Sequence, residues 1–272
     1  MSSLRGLLSF FLTPFLSAWR RRQVLRELCI REIRTTFTGS MLGMGWLVLQ
    51  PLLTLTVYSL VFGGILGFGR GGDMAFVSQL FVGLIVFHAF SEPVSRASRL
   101  VVSRPNYVTK VVFPLDLLPW PSVALAALHA TASTVLLILL HTAFVGTPAW
   151  TAIALPLVLL PVLLLGLSLS WVLASVGVYV RDTHEVVRVA LQLLFFLCPV
   201  VWTMQKVQNE VYRSLIMLNP LAIAIETARS LLTGAAWPGT TPVVAFVIGT
   251  FLLAALGHAF FRRTQDGFAD VL

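Results

Sequence analysis

Charge is what this sequence has least of. Only 11% of its 272 residues are Asp, Glu, Lys or Arg, against roughly 25% in a soluble domain. Together with 57% hydrophobic residues and a mean hydropathy of +0.90, that scarcity excludes a soluble globule and indicates an integral membrane protein. Acidic residues are the scarcer sign, 11 against 19 Lys and Arg, for a net charge of +8. In a membrane protein such an excess reports cytoplasmic loops and anionic lipid head groups, not nucleic acid. Cysteine is nearly absent. Cys29 precedes the first apolar run and Cys198 lies inside a later one, which argues against a disulfide, and no Cys/His spacing resembles a metal site. No G-x-x-x-x-G-K-[ST] phosphate loop occurs, so ATP hydrolysis by that route is excluded. No internal repeat is visible, and the apolar runs hold almost no ionisable groups, which argues against an inverted-repeat or ion-coupled carrier. His129 and His141 are the exceptions in the longest run, and each reads as structural. A membrane-embedded glycan enzyme would need clustered His, Asp or Glu on one face, and the spans offer none, so no catalytic residue is assigned.

What is present is a series of charge-free runs, each compared with the roughly 20 residues that cross a bilayer. The chain is organised around Arg31 to Phe62, where Arg31 and Arg34 precede a run without charge. Spans are expected at about Met41–Gly64, Ala75–Ser91, Ala124–Val145, Ile153–Val180, Val189–Met204 and Pro242–Phe261. Gly39, Gly43 and Gly45 leave little side chain ahead of the first span, and Pro51 is expected to kink it. The glycine-rich stretch Gly67 to Met74 joins spans 1 and 2, and Gly146-Thr147-Pro148 turns span 3 into span 4. Ser214 to Ile225 is apolar but too short to cross, which suits a re-entrant or interfacial helix. The expected fold is therefore all-α: six transmembrane helices, an N-terminal interfacial amphipathic helix, and a re-entrant helical hairpin before the last span.

Six spans that start inside also end inside. Only Arg70, Lys206, Arg213 and Arg229 of the 19 basic residues then fall outside, as the positive-inside rule requires. Leu7 to Trp19 is apolar but short, holds Pro14, and runs directly into Arg20-Arg21-Arg22. It reads as a helix lying in the interface, with a cleaved or anchoring segment as the alternative. Residues 1–35 thus form a cytoplasmic and interfacial part, and residues 36–272 a six-span domain.

Two stretches carry recognisable local chemistry. Leu100 to Trp120 is a compact cytoplasmic segment with basic residues, Tyr107 and proline stops, suited either to docking another protein or to lying on anionic lipid. Leu218 to Gly234 starts a helix at Asn219-Pro220 and can end it at Gly234. Glu226 and Arg229, three apart, share a face. On the outer side this element is either a lid or a structural cap.

The ordered set TFTGSMLGMGW, TKVVFPLDLLP, VRDTHEVVRVALQLLFFLCPVVW, LNPLAIAIETARSLLTG and FRRTQDGFADVL resembles the transmembrane subunit of type-2 ABC exporters of lipid-linked polysaccharide, the O-antigen, capsule and teichoic acid exporters. The likeness runs from about Arg20 to the end, with Thr36-Phe37 where the family often has Arg-Tyr. It implies a homodimer in the bacterial inner membrane, both termini cytoplasmic, working with two copies of an ATP-binding subunit that holds ATP and Mg. No cofactor is expected in this chain itself. The resemblance maps ATPase coupling onto a loop at about 96–113, with Arg99, Arg104, Tyr107 and Lys110. It maps an outer gate onto about 207–234, with Asn219, Pro220, Glu226 and Arg229. The path would run between subunits along spans 1 and 5, where Trp46, Tyr58, Phe62, Phe195, Phe196 and Trp202 offer aromatic faces for sugar rings, packing against lipid or core being the alternative. Arg31 and Arg34 are the candidates for the lipid diphosphate. An exporter of small drugs or ions is the other reading.

Overall fold

The computed structural model describes residues 2–65, 74–109, 113–204, 207–235 and 237–271. Every regular element among them is helical. The glycine-rich connection between the first two spans, Lys110 and Lys206 lie outside the described residues.

Two helices precede the bundle, α1 (Ser2–Arg20) and α2 (Arg22–Phe37). The first span is α3 (Trp46–Tyr58), which continues in wider π-helical turns over Ser59–Ile65. Pro51 stands inside α3, and the helical register changes eight residues later, at Ser59. The long helices follow: α4 (Met74–Ala97), then, after the short α5 (Pro105–Thr109), α6 (Trp120–Phe144) and α7 (Leu155–Tyr179). Then come α8 (Thr183–Leu197), α9 (Glu210–Met217), α10 (Pro220–Thr233) and α11 (Thr240–Thr264). Among the described residues five helical stretches are long and apolar enough to cross a membrane, and six if α9 and α10, which meet at 98°, count as one broken span.

Two expected spans are placed differently, both for an electrostatic reason. The second was expected to stop at Ser91, before Glu92. Instead α4 runs on to Ala97, because Glu92 and Arg96 neutralise each other one turn apart. The fifth was expected over 189–204. Instead α8 begins at Thr183, absorbs Glu185 and Arg188 as an ion pair in its first turns, and ends at Leu197. At 1.5 Å per residue its 15 residues reach about 22 Å, short of the roughly 30 Å hydrocarbon core.

α4 is the centre of the bundle, packed against α6, α7 and α10, while α7 also carries α11, and α1 lies along α11. In lipid, helices gain little by hiding apolar surface from one another, so close packing and internal hydrogen bonds hold them. Gly257 is where α11 crosses α7, and a Cβ there would stand 2.5 Å from the Ser168 carbonyl oxygen. Gly83 of α4 admits the segment after α8 in the same way, with Val200 O 2.6 Å from the position of a Cβ. The hydroxyls of Ser168, Ser170 and Ser175 on α7 donate to carbonyls one turn back, which satisfies them inside the membrane. α3 stands apart from this core: 11% of its span is buried, against 72% for α4.

Candidate functional site

A cavity of about 950 Å³ opens between α3, α4 and α8. α8 supplies His184, Arg188, Leu191, Gln192 and Phe195 to it, a spacing of three and four residues that puts them all on one face of the helix. α4 supplies Phe87, His88, Ser91, Glu92, Ser95 and Arg96 by the same periodicity, and α3 supplies Thr54 and Tyr58. The result is a graded surface. At and just beyond the C-terminal end of α4 stand Arg96, Arg99 and Arg104, with His184 and Arg188 opposite. Deeper in, Phe195 lies 5.8 Å from Tyr58, 5.1 Å from Phe87 and 5.3 Å from Phe196, ring centre to ring centre. Such edge-to-face and tilted packing leaves faces and edges free for another apolar surface.

The mouth is wired by a chain of charges. His129 of α6 meets Glu92 through Nδ1 at 2.8 Å, and Arg96 donates to Glu92 at 3.3 Å. Arg96 also reaches Glu32 of α2 at 3.7 Å, and Arg104 donates to Glu32 at 2.9 Å. Each carboxylate thus has two partners, which is the condition for holding charge at a membrane boundary. Burial, and then Glu32 beside it, push the Cys29 thiol on α2 up to about 11. Among the described residues Arg99 carries no ion pair.

The structure brings together some of the residues singled out above and separates others. Tyr58, Phe195 and Phe196 share the cavity. Trp46 lies lower on α3, where its indole N–H donates to Ser40 Oγ at 2.9 Å. The indole N–H of Trp202 donates to the Phe196 carbonyl at 3.3 Å, which folds it against the end of α8. The side chain of Phe62 lies outside the described residues. Arg31 donates to the Tyr107 hydroxyl at 2.7 Å, its guanidinium 6.0 Å from that ring centre, and Tyr107 stacks on Phe113 at 4.5 Å. One residue of the expected phosphate pair is therefore tied to the expected coupling loop. Arg34 lines a shallow trough along α2 with Arg26 and Glu27.

At the other end, Asn219 caps α10 by accepting the Leu221 N–H at 3.0 Å, and its own amide donates to Cys198 Sγ at 3.2 Å. Pro220 opens the helix and Gly234, at φ +69°, closes it. Arg229 pairs with Glu226 three residues away, on the face they were expected to share. It is 5% exposed and its guanidinium donates to the carbonyls of Gln79, Val200 and Trp202 and to Glu226, all between 2.8 and 3.1 Å. α10 is thereby fastened to α4 and to the segment after α8. By contrast none of α9 is buried.

Two centres escaped the sequence reading. The Glu92–His129 contact joins residues 37 apart that nothing in one sequence pairs. Asp116 had a signal: it is the one charge between Lys110 and Arg181, and an isolated carboxylate in an apolar run demands partners. It is 5% exposed and accepts from Ser17 at 2.8 Å, with Arg21 at 3.5 Å and His258 at 3.4 Å. Its carbonyl accepts from Trp171 at 3.0 Å. One carboxylate thus links α1, the start of α6 and α11.

Residues 23–233 match the family described as ABC-2 type transporter. Over 253 residues the chain is 29% identical to the O-antigen export system permease protein RfbA of Myxococcus xanthus, covering 93% of this chain and 96% of that protein. It is 21% identical to the RfbA protein of Klebsiella pneumoniae, covering 89% and 92%. It is 25% identical to the polysialic acid transport protein KpsM of Escherichia coli, covering 90% and 95%.

Proposed function

Because the chain belongs to the ABC-2 type transporter family, we propose that it is the membrane-spanning subunit of an ATP-driven exporter of lipid-linked polysaccharide. The observation that carries this reading is the cavity between α3, α4 and α8, aromatic within and cationic at its mouth. A sugar polymer presents a repeating series of C–H faces and hydroxyls. Rings such as Tyr58, Phe195 and Phe196 stack on those faces one after another, without a deep minimum that would stall the chain. The lipid phosphate that leads the polymer is drawn to guanidinium groups, which bind phosphate bidentately. Our candidates to receive it are Arg99 and Arg188 at the mouth, with Arg34 on α2.

The cavity is open on one side, and the faces beside it are uncovered: Val57 is 60%, Leu193 60% and Leu197 65% exposed. A hydroxyl-rich polymer cannot pass along hydrocarbon, so the open side needs a wall. A second copy related by a two-fold axis supplies it with the same residues. Energy comes from two ATP-binding subunits, which hold ATP and Mg and dock on the cytoplasmic segment 96–113 around Tyr107, Arg104 and Lys110. The distribution of basic residues supports an inner-membrane protein with both termini in the cytoplasm. α9, exposed and joined at 98° to the fixed α10, is the movable part of the outer gate.

The test is deletion of this chain in its own cell. Lipid-linked polymer should accumulate inside while surface polysaccharide falls, and the full chain should restore it. Unchanged surface polysaccharide, with altered resistance to small drugs, would favour the small-molecule reading instead.

A further inference from the structure

On the α6 side of α3 lies a second opening. A crevice of about 390 Å³ runs between α3, α4 and α6, and a further cavity of about 380 Å³ continues it toward the outer ends of the same helices, with Phe81 lining both. On α6 the lining begins at Ala126 and ends at Phe144, about 27 Å at 1.5 Å per residue. That is nearly the thickness of the hydrocarbon core. The polarity changes along it. Its inner end holds Gln50, Glu92, Arg96 and His129. Its outer end is apolar but for Thr56, Ser59 and Ser78. Thr54, His88, Glu92, Ser95 and Arg96 line both this crevice and the large cavity, so the two meet at their polar ends.

We propose that this crevice berths one hydrocarbon chain of the cargo lipid, with its phosphate at the shared polar end and its glycan in the large cavity. The inference rests on the export reading and adds where the lipid half of the cargo sits. A long, narrow space, polar at one end and apolar at the other, has the outline of a one-chain amphiphile. Each of its two parts has under half the volume of the neighbouring cavity, too little for a polymer. A soluble partner has no access to it at membrane depth. The weakly buried α3 is the wall that must yield for the chain to enter.

The experiment places the photoreactive amino acid p-benzoylphenylalanine at Gln50, which is exposed and lines the crevice. A control chain carries it at Ile248, which is 63% exposed on α11 and lines none of these cavities. The full chain with its ATP-binding partner is reconstituted in phosphatidylcholine nanodiscs and illuminated with tritiated polyprenyl phosphate or with tritiated lysophosphatidylglycerol. One of these one-chain probes should be captured at Gln50 about tenfold above Ile248, the gain expected from burying about two methylenes in a fitted site. Which probe is captured identifies the chain. Ala130→Leu, which fills the crevice from α6, should lower that capture by a similar factor. Equal capture at both positions overturns the proposal. So does equally effective competition by two-chain phosphatidylglycerol, or a cross-link from Gln50 to a second copy of this chain. Loss of surface polysaccharide is scored separately, so the export reading can fail while the crevice stands, or the reverse.

Discussion

Arg229 shows how much a single side chain settles here. From the sequence it is a cation three residues from Glu226 on the outer side, and an exposed pair of that kind contributes only a fraction of a kcal/mol. Folding gives it four acceptors on three separate segments, which no spacing within one helix reveals. Arg229→Ala leaves buried carbonyls and the Glu226 carboxylate without their donor. Breaking a buried pair in this way costs on the order of 3 kcal/mol or more. Arg229→Lys keeps the charge but cannot fork to three carbonyls, and should recover only part of the loss. Limited proteolysis of the segment 198–204 in membranes reads this directly. Wild type should resist, Arg229→Ala should be cut readily, and Arg229→Lys should fall between. Equal resistance in all three would mean that the guanidinium does not hold the segment. Asp116 carries the same lesson. Its isolation in the sequence announced a need for partners, but Ser17, Arg21 and His258 come from both ends of the chain and only the fold selects them.

At the scale of elements, charge-free runs located the crossings well, because the bilayer admits few alternatives to an apolar helix. α6, α7 and α11 sit within a few residues of their expected places. The cap Asn219, the first-turn Pro220 and the terminal Gly234 also stand where local backbone chemistry puts them. The failures fall at α4 and α8, where charges read as loop markers are neutralised inside the helix by i, i+3 and i, i+4 partners. Because α8 starts early and stops early, its aromatic residues end up beside Tyr58 of α3 rather than along a full crossing. This sorts the aromatic candidates into groups with different expected effects. Replacing Tyr58, Phe195 and Phe196 together with Ala should nearly abolish export. Each ring contributes about 0.5–1.5 kcal/mol beyond its buried area, so any one replacement should cost about tenfold or less. Surface polysaccharide at equal protein level is the measurement. Near-normal export in the triple variant would move the path off this wall.

For the molecule as a whole, the uneven distribution of basic residues predicts the orientation, and the cavity with arginines at its mouth and aromatic rings inside is the route we propose for a polymer led by a phosphate. α4 is the most buried of the long helices, whereas α3 is the least, and α3 and α8 flank the open cavity. A second copy against the α3–α8 side is the arrangement we propose, and it would close the open side of the cavity. The most direct measurement is translocation itself: the chain and its ATP-binding partner in sealed vesicles, with lipid-linked polysaccharide added outside, on the cytoplasmic face. With ATP, glycan should become protected from an added glycosidase. Protection should be lost without ATP, without this chain, or with the Tyr58, Phe195 and Phe196 triple replacement. Protection that appears equally in vesicles lacking the chain, or none in the complete system despite active ATP hydrolysis, would contradict the account.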